Sequence, residues 1–203
     1  MTSTIAIIGA GSVGTALATG IARLGRDVVV GVREPGDPKH DHLRPTLTLR
    51  HPHVAARLAS VVVLAVPVDG LADAVPALGL APGQVLVDAT NAVRSPVPAG
   101  FDTVGAFTAS LAPAGVAVVK AFNTIGAEHM GDGRLGDAAA FLPIAGDEAG
   151  RPVVSELATA LGFDVADLGG PESVAMVEDH ARLWIHLALR RGWGRGLGFV
   201  AVR

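Results

Sequence analysis

The stretch that most constrains this chain runs from Thr4 to Val30. Thr4-Ile5-Ala6-Ile7-Ile8 is an apolar run that reads as a buried strand. Gly9-Ala10-Gly11-Ser12-Val13-Gly14 interrupts it, and Thr15 to Leu24 then reads as a helix. Val13, Leu17, Ile21 and Leu24 recur at spacings of four, four and three, which puts one apolar stripe on the face turned to a sheet. Gly25 ends the helix, and Asp27-Val28-Val29-Val30 opens a second strand. Strand, G-x-G-x-x-G, helix and strand in this order make a dinucleotide-binding βαβ unit. Gly9 permits a tight turn, Gly11 lets the backbone approach a pyrophosphate, and Gly14 lets the helix pack close. The N–H groups of Ser12, Val13 and Gly14 then face the anion, and the helix dipole adds to the attraction.

The end of the second strand selects the dinucleotide. An NAD site places Asp or Glu there, on the ribose hydroxyls. This chain has Gly31, Val32 and Arg33, and Asp27 lies at the wrong end. A guanidinium clamps a 2′-phosphate with two hydrogen bonds, whereas a carboxylate repels it. The expected coenzyme is therefore NADP(H), with Arg33 on the 2′-phosphate and Lys39 adding charge from the following loop. The rival reading leaves Arg33 solvated and puts Glu34 on the ribose; it predicts tighter binding of NADH.

Downstream, apolar runs alternate with helical stretches. Glu34 to His53 is polar and dotted with proline, and reads as a long loop. Its His40, His42, His51 and His53 form two H-x-H pairs without a carboxylate cluster, so they read as solvated and no metal site is expected. Val61 to Ala65 is a β-branched run, hence a buried parallel strand, ending in Ala65-Val66-Pro67. Ligands sit at strand carboxyl ends in such sheets, so Ala65, Val66 and Pro67 are expected beside the coenzyme. Gln84 to Val87 is the next strand, and Asn91 beyond it is placed to bond a ribose or carboxamide. Thr103 to Leu111 reads as a helix and Val116 to Val119 as a fifth strand, leading into Lys120-Ala121-Phe122-Asn123-Thr124-Ile125-Gly126. Pro67, Asn123, Thr124 and Ile125 are expected to line the nicotinamide side, although Asn123-Thr124 equally suits a helix cap. Further on, Ala138 to Ala145 reads as a strand, Asp147 as the cap of a helix over 148–161, Glu172 to Arg191 as a helix and Phe199 to Val202 as a closing strand. The whole is a Rossmann-type, doubly wound, mostly parallel α/β sheet with a small C-terminal α/β extension. The expected division is a coenzyme domain over 1–122 and a small domain over 123–203 that completes the substrate cleft.

Composition excludes several function classes. Net charge is −3 over 203 residues, with no basic excess for nucleic acid. There is no cysteine, hence no disulfide and no thiolate chemistry. Apolar runs are interrupted well before the roughly 18 residues of a membrane span. With no leader-like start, a soluble cytoplasmic protein is expected. Trp184 and the apolar C-terminal segment suit a homodimer contact.

The chain resembles the NADPH-dependent F420 reductase (F420H2:NADP oxidoreductase) family. The resemblance rests on Ile7 to Gly14, Val62 to Pro67, Val87 to Asn91, Lys120 to Ala127 and Leu183 to Ala188, in the same order over nearly the whole length. It implies a Rossmann domain, a small C-terminal domain, and nicotinamide and deazaflavin F420 stacked in the cleft between them. It also implies NADPH preference through a basic residue after the second strand, here Arg33. Val32 departs from the Ser or Thr usual before that arginine, which removes one phosphate contact, and the histidine-bearing loop is foreign to the pattern. Hydride transfer between two bound rings needs little protein acid–base chemistry, and no Ser–His–Asp set is evident. A carbonyl or imine reductase would instead employ a catalytic lysine, for which Lys120 is the candidate. A third alternative is a non-catalytic NADP(H)-sensing module. His129 is a candidate proton donor, whereas His180 and His186 read as structural or interfacial.

Overall fold

The computed structural model describes residues 4–93 and 95–203. Ten strands are present among them: β1 Ile5–Ile8, β2 Val28–Gly31, β3 Thr48–Arg50, β4 Val61–Leu64, β5 Val85–Asp88, β6 Ala117–Lys120, β7 Arg134–Leu135, β8 Ala138–Ala139, β9 Phe141–Gly146 and β10 Asp164–Asp167. The α-helices are α1 Ser12–Arg23, α2 Pro52–Arg57, α3 Leu71–Ala77, α4 Val104–Leu111, α5 Ala127–Met130, α6 Arg151–Ala160 and α7 Val174–Ile185.

Eight strands form one sheet in the order β10-β9-β6-β5-β4-β1-β2-β3. From β3 to β6 all neighbours are parallel, in the 3-2-1-4-5-6 order of a Rossmann sheet. β9 joins β6 antiparallel, and β10 runs parallel to β9, so the C-terminal segment extends the same sheet. Continuous apolar strands serve two cores, because successive side chains point to opposite faces. Ile5, Ile7, Val61 and Val63 pack with Leu17 and Ile21 of α1 and Val154 and Leu157 of α6. Ala6, Ile8, Val62 and Leu64 pack with α2, α3 and α4 on the other face.

Several local expectations are corrected. The proline-dotted stretch after β2 contains β3, an edge strand whose exposed-buried-exposed Thr48-Leu49-Arg50 is too short to show a period. Asp147 does not cap a helix. Its carboxylate accepts the Val118 N–H (2.8 Å), which β9 does not pair, and α6 starts later, at Arg151-Pro152. The stretch 138–145 is split between β8 and β9, and β8 pairs with β7 in a separate hairpin. Residues 199–202 form no strand; Phe199 is held by its carbonyl, which accepts the Phe141 N–H (2.8 Å). The last helix opens with a 3₁₀ turn at Pro171–Ser173 and ends in a π turn at His186–Arg190.

His180 of α7 lies edge-on between Phe141 and Phe199, with ring centroids 5.5 and 4.9 Å away. Its Nε2 is buried without a partner, and burial pushes its pKa below the usual imidazole value of 6.5. The unfolded chain therefore binds this proton more readily than the folded one. Stability from this site is present above pH 6.5 and is lost as pH falls below it. The urea midpoint is expected to drop between pH 7 and pH 5, and to drop less in His180→Leu.

Candidate functional site

The sheet order reverses at β1, which has β2 on one side and β4 on the other; α1 leaves β1 on one face while α2, which leads into β4, lies on the other, and a crevice opens beyond the β1 carboxyl end. Gly9 leaves β1 with φ +109°, and a Cβ there would sit 2.5 Å from the Ala65 carbonyl oxygen. A Cβ on Gly14 would collide with the Gly9 carbonyl oxygen and lie 3.3 Å from the Ala65 side chain. The fold itself demands these two glycines. Gly11 differs, since a Cβ there would meet nothing within 4 Å. Protein packing does not require a glycine there, and the space beside it is open. Gly11 is the N-cap of α1 and supplies no side-chain bond, and the first turn carries no acidic residue. The N–H groups of Ser12, Val13 and Gly14 thus present an uncompensated positive helix end. These features fit a coenzyme pyrophosphate.

At the end of β2, a side chain on Gly31 would press on Ile8 (2.8 Å) and on the Pro52 backbone (3.0 Å), so no carboxylate fits there. Arg33 is exposed and makes no ion pair or hydrogen bond among the described residues. Lys39 is committed to Asp37 (2.5 Å), which raises the Lys39 pKa and holds the Asp37 carboxyl below its usual range. Of the two basic residues expected to serve the 2′-phosphate, only Arg33 is uncommitted. His40 is buried, while His42, His51 and His53 are exposed. Among the described residues, no three His, Asp or Glu are grouped to hold a metal ion.

Beyond β4, Ala65 and Val66 are half-buried, and exposed Pro67 precedes a 3₁₀ turn. Across the crevice, Asn91 Nδ2 donates to the Asn123 carbonyl oxygen (2.5 Å), and Asn123 Nδ2 donates to Asn91 Oδ1 (3.2 Å). This pair ties the end of β5 to the end of β6. Phe122, fully buried and edge-on to Phe163, holds a left-handed backbone with φ 60°. A bulky residue in that region is strained, and such strain concentrates at functional turns. The turn it makes leaves Asn123 Oδ1 and Thr124 Oγ1 buried with no partner. The N–H groups of Thr124, Ile125 and Gly126 also have no acceptor among the described residues. Buried polar groups are nearly always paired, so this cluster has hydrogen-bonding capacity to offer a ligand or a water. Ile125 itself packs into the core. The capping alternative for Asn123-Thr124 fails, since α5 begins after Gly126 without a side-chain cap.

Lys120 does not enter the crevice. It is 1% exposed and bonds Asp88 Oδ2 (3.1 Å), the Thr90 carbonyl oxygen (2.8 Å) and Glu178 Oε1 (3.3 Å). Asp88 also accepts from Thr90 N, Thr90 Oγ1 and Thr108 Oγ1, and Glu178 accepts the first N–H groups of α4, from Val104 and Gly105. Sequence reasoning missed this network because Glu178 is 58 residues beyond Lys120.

Helix α5 sits tightly on α1, since Gly131 faces Gly20 and neither has room for a Cβ. This places Glu128 beside Gly11 and Ser12 on the wall of a cavity of about 550 Å³, which His42 also lines. Burial works to raise the Glu128 carboxyl, but its bond to Arg195 (2.7 Å), its own backbone N–H and the nearby positive charge together hold it below the usual range. His129 Nε2 lies 3.0 Å from the Gly196 carbonyl oxygen, so the C-terminal loop occupies the candidate proton donor.

Residues 4–92 match the family model described as NADP oxidoreductase, coenzyme F420-dependent. A structure from Arthrobacter sp. FB24, provisionally described as an F420-dependent NADP-reductase, is 27% identical with TM-score 0.84, covering 99% of this chain and 100% of that one. A reductive aminase from Aspergillus terreus in complex with NADPH and ethyl levulinate is 22% identical with TM-score 0.68, over 95% of this chain and 63% of that one, and shares the fold. The rat metalloreductase STEAP3 is 31% identical over 176 residues, 86% of this chain; the chain spans 35% of that relative's length. The family match and the structural likeness place the chain in the class of NADP-dependent oxidoreductases, which use NADP(H) as coenzyme. Within that class, the likeness to the F420-dependent NADP oxidoreductases read from the sequence is borne out. Among the described residues no helix is long and apolar enough to cross a membrane.

Proposed function

We propose that the chain transfers hydride between NADP(H) and a deazaflavin of the F420 type or a flavin-like acceptor. Residues 1–122 serve the coenzyme and residues 123–203 complete the acceptor side of the cleft. The observation that carries the reading is the unsatisfied polar turn at Asn123 to Gly126, which lies at the carboxyl end of β6 just before Ala127 and Glu128 of the cavity wall, in a chain that matches the Arthrobacter structure over 99% of its length.

Bound NADPH supplies the hydride. The chain's own residues supply placement. The N–H groups of Ser12, Val13 and Gly14 hold the pyrophosphate, with Gly9 and Gly11 giving the backbone its close approach, and Arg33 holds the 2′-phosphate. Ala65, Val66 and Pro67 wall one side. The Asn91–Asn123 pair keeps the β6 turn fixed, so Thr124 Oγ1 and the three free N–H groups through Gly126 can bond a carbonyl of either ring system. Ile125 backs this turn from the core. Such a frame would bring donor and acceptor carbons together, and transfer requires them about 3–3.5 Å apart.

Stopped-flow absorbance with NADPH and oxidised F420, FMN, FAD or a quinone tests the reading. Rapid NADPH consumption with F420 or a flavin is expected. Tight NADPH binding without turnover of any acceptor would instead favour the sensing alternative. An imine or carbonyl reductase reading gains no support from Lys120, which is sealed in its ion network. Removal of the 2′-phosphate clamp, Arg33→Ala, is expected to weaken NADPH binding about 10- to 100-fold, the worth of a charge-assisted pair. NADH binding should change less than twofold, as calorimetric titration would show.

A further inference from the structure

The π turn that ends α7 runs into Arg190-Arg191-Gly192-Trp193-Gly194-Arg195, and all six residues are exposed. Trp193 is 65% exposed, the most exposed aromatic among the described residues, whereas Trp184 is buried and donates to the Leu197 carbonyl oxygen (2.6 Å). Gly192 and Gly194 flank Trp193 with φ of 74° and 90° and open space around each, so left-handed backbone on both sides presents the indole outward. The loop is not free. Trp193 N–H bonds the Leu187 carbonyl oxygen (3.1 Å), Arg195 bonds Glu128, and Gly196 bonds His129.

Those anchors place the loop against the crevice. A Cβ on Gly126 would strike the Arg195 carbonyl oxygen, so the loop abuts the unsatisfied turn. Glu128, which holds Arg195, shares its cavity with Gly11 and Ser12. Arg190 and Arg191 have no ion pair among the described residues. An exposed indole that follows two unpaired arginines in one short loop, beside the crevice, suits a flat π system that carries an anionic tail.

We propose that Trp193 is a substrate-binding residue that stacks on the ring system of a planar hydride acceptor, and that Arg190 and Arg191 hold its anionic side chain. This rests on the planar-acceptor reading above, and it extends that reading by requiring a phosphate or carboxylate tail. Nucleotide coenzyme is not the occupant, because its anionic groups are met at α1 and Arg33.

Isothermal titration calorimetry on the full chain tests it, with oxidised F420, FMN and riboflavin as probes and NADPH as the control ligand. Trp193→Ala is expected to weaken F420 or FMN binding at least tenfold and to leave NADPH within twofold. Arg190→Ala/Arg191→Ala should weaken F420 and FMN at least fivefold but not riboflavin, which has no phosphate. Unchanged F420 and FMN affinity in Trp193→Ala would overturn the proposal while leaving the acceptor reading intact. An equal loss for NADPH would overturn it by making Trp193 a coenzyme contact. Wild-type protein that binds NADPH but neither F420 nor FMN would remove the acceptor reading, and the proposal with it.

Discussion

Replacing Lys120 by methionine is expected to destabilise the protein by about 3–5 kcal/mol, the cost of stranding a buried charge. Two carboxylates converge on this ammonium, Asp88 at 3.1 Å and Glu178 at 3.3 Å, and both are buried. Methionine preserves much of the stem's volume, so the loss reports charge rather than a cavity. Asp88 retains three donors from Thr90 and Thr108, but Glu178 keeps only the N–H groups of Val104 and Gly105. Glu178→Gln keeps an acceptor oxygen toward α4 and leaves Lys120 paired with Asp88, so it should cost about 1–2 kcal/mol. Urea unfolding with both variants measures the order. NADPH affinity of folded Lys120→Met, measured at 10 °C, is expected within twofold of wild type. A stable variant that binds NADPH normally yet has lost turnover would make Lys120 catalytic and restore the imine-reductase reading.

The same residue shows where sequence reading stops. The parallel core was legible because its strands bury both faces, which writes Ile5 to Ile8 and Val61 to Leu64 as unbroken apolar runs. The G-x-G-x-x-G turn was legible because Gly9 and Gly14 answer steric demands of the strand–helix junction. Lys120 was legible only as a lysine at a strand end. Its partners come from β5 and α7, and no local period encodes a contact over that separation. Phe122 left no trace either: a left-handed backbone is normally announced by glycine or asparagine, and a phenylalanine there is held by tertiary packing against Phe163. Edge strand β3 and the misplaced cap at Asp147 share one cause. Each is settled by a neighbour's unpaired backbone, Gly31 and Val32 in the first case and Val118 in the second. Nothing in the sequence set Trp193 apart; its exposure and its place depend on Arg195 reaching Glu128, and that required the fold.

Gly11→Val is expected to fold as wild type and to bind NADPH about a hundredfold more weakly. The glycines of the turn divide by what surrounds them. At Gly9 and Gly14 any side chain meets backbone, which cannot retreat as a flexible side chain can, so Gly9→Ala and Gly14→Ala should lower the thermal midpoint. At Gly11 a side chain enters open space, and its φ of −74° is one that any residue adopts. Stability is therefore blind to Gly11, and the ligand is not. Two isopropyl methyls would stand where the pyrophosphate meets the N–H groups of α1. Loss of two charge-assisted hydrogen bonds, at about 1.5 kcal/mol each, corresponds to roughly a hundredfold in affinity. Thermal scans with and without NADPH separate the two effects. Gly11→Val should keep its midpoint and lose the ligand-induced rise, whereas Gly14→Ala should start lower. A Gly11→Val protein that NADPH still stabilises fully would move the pyrophosphate away from α1 and dissolve the assigned site, because Arg33, Pro67 and Asn91 are placed relative to it.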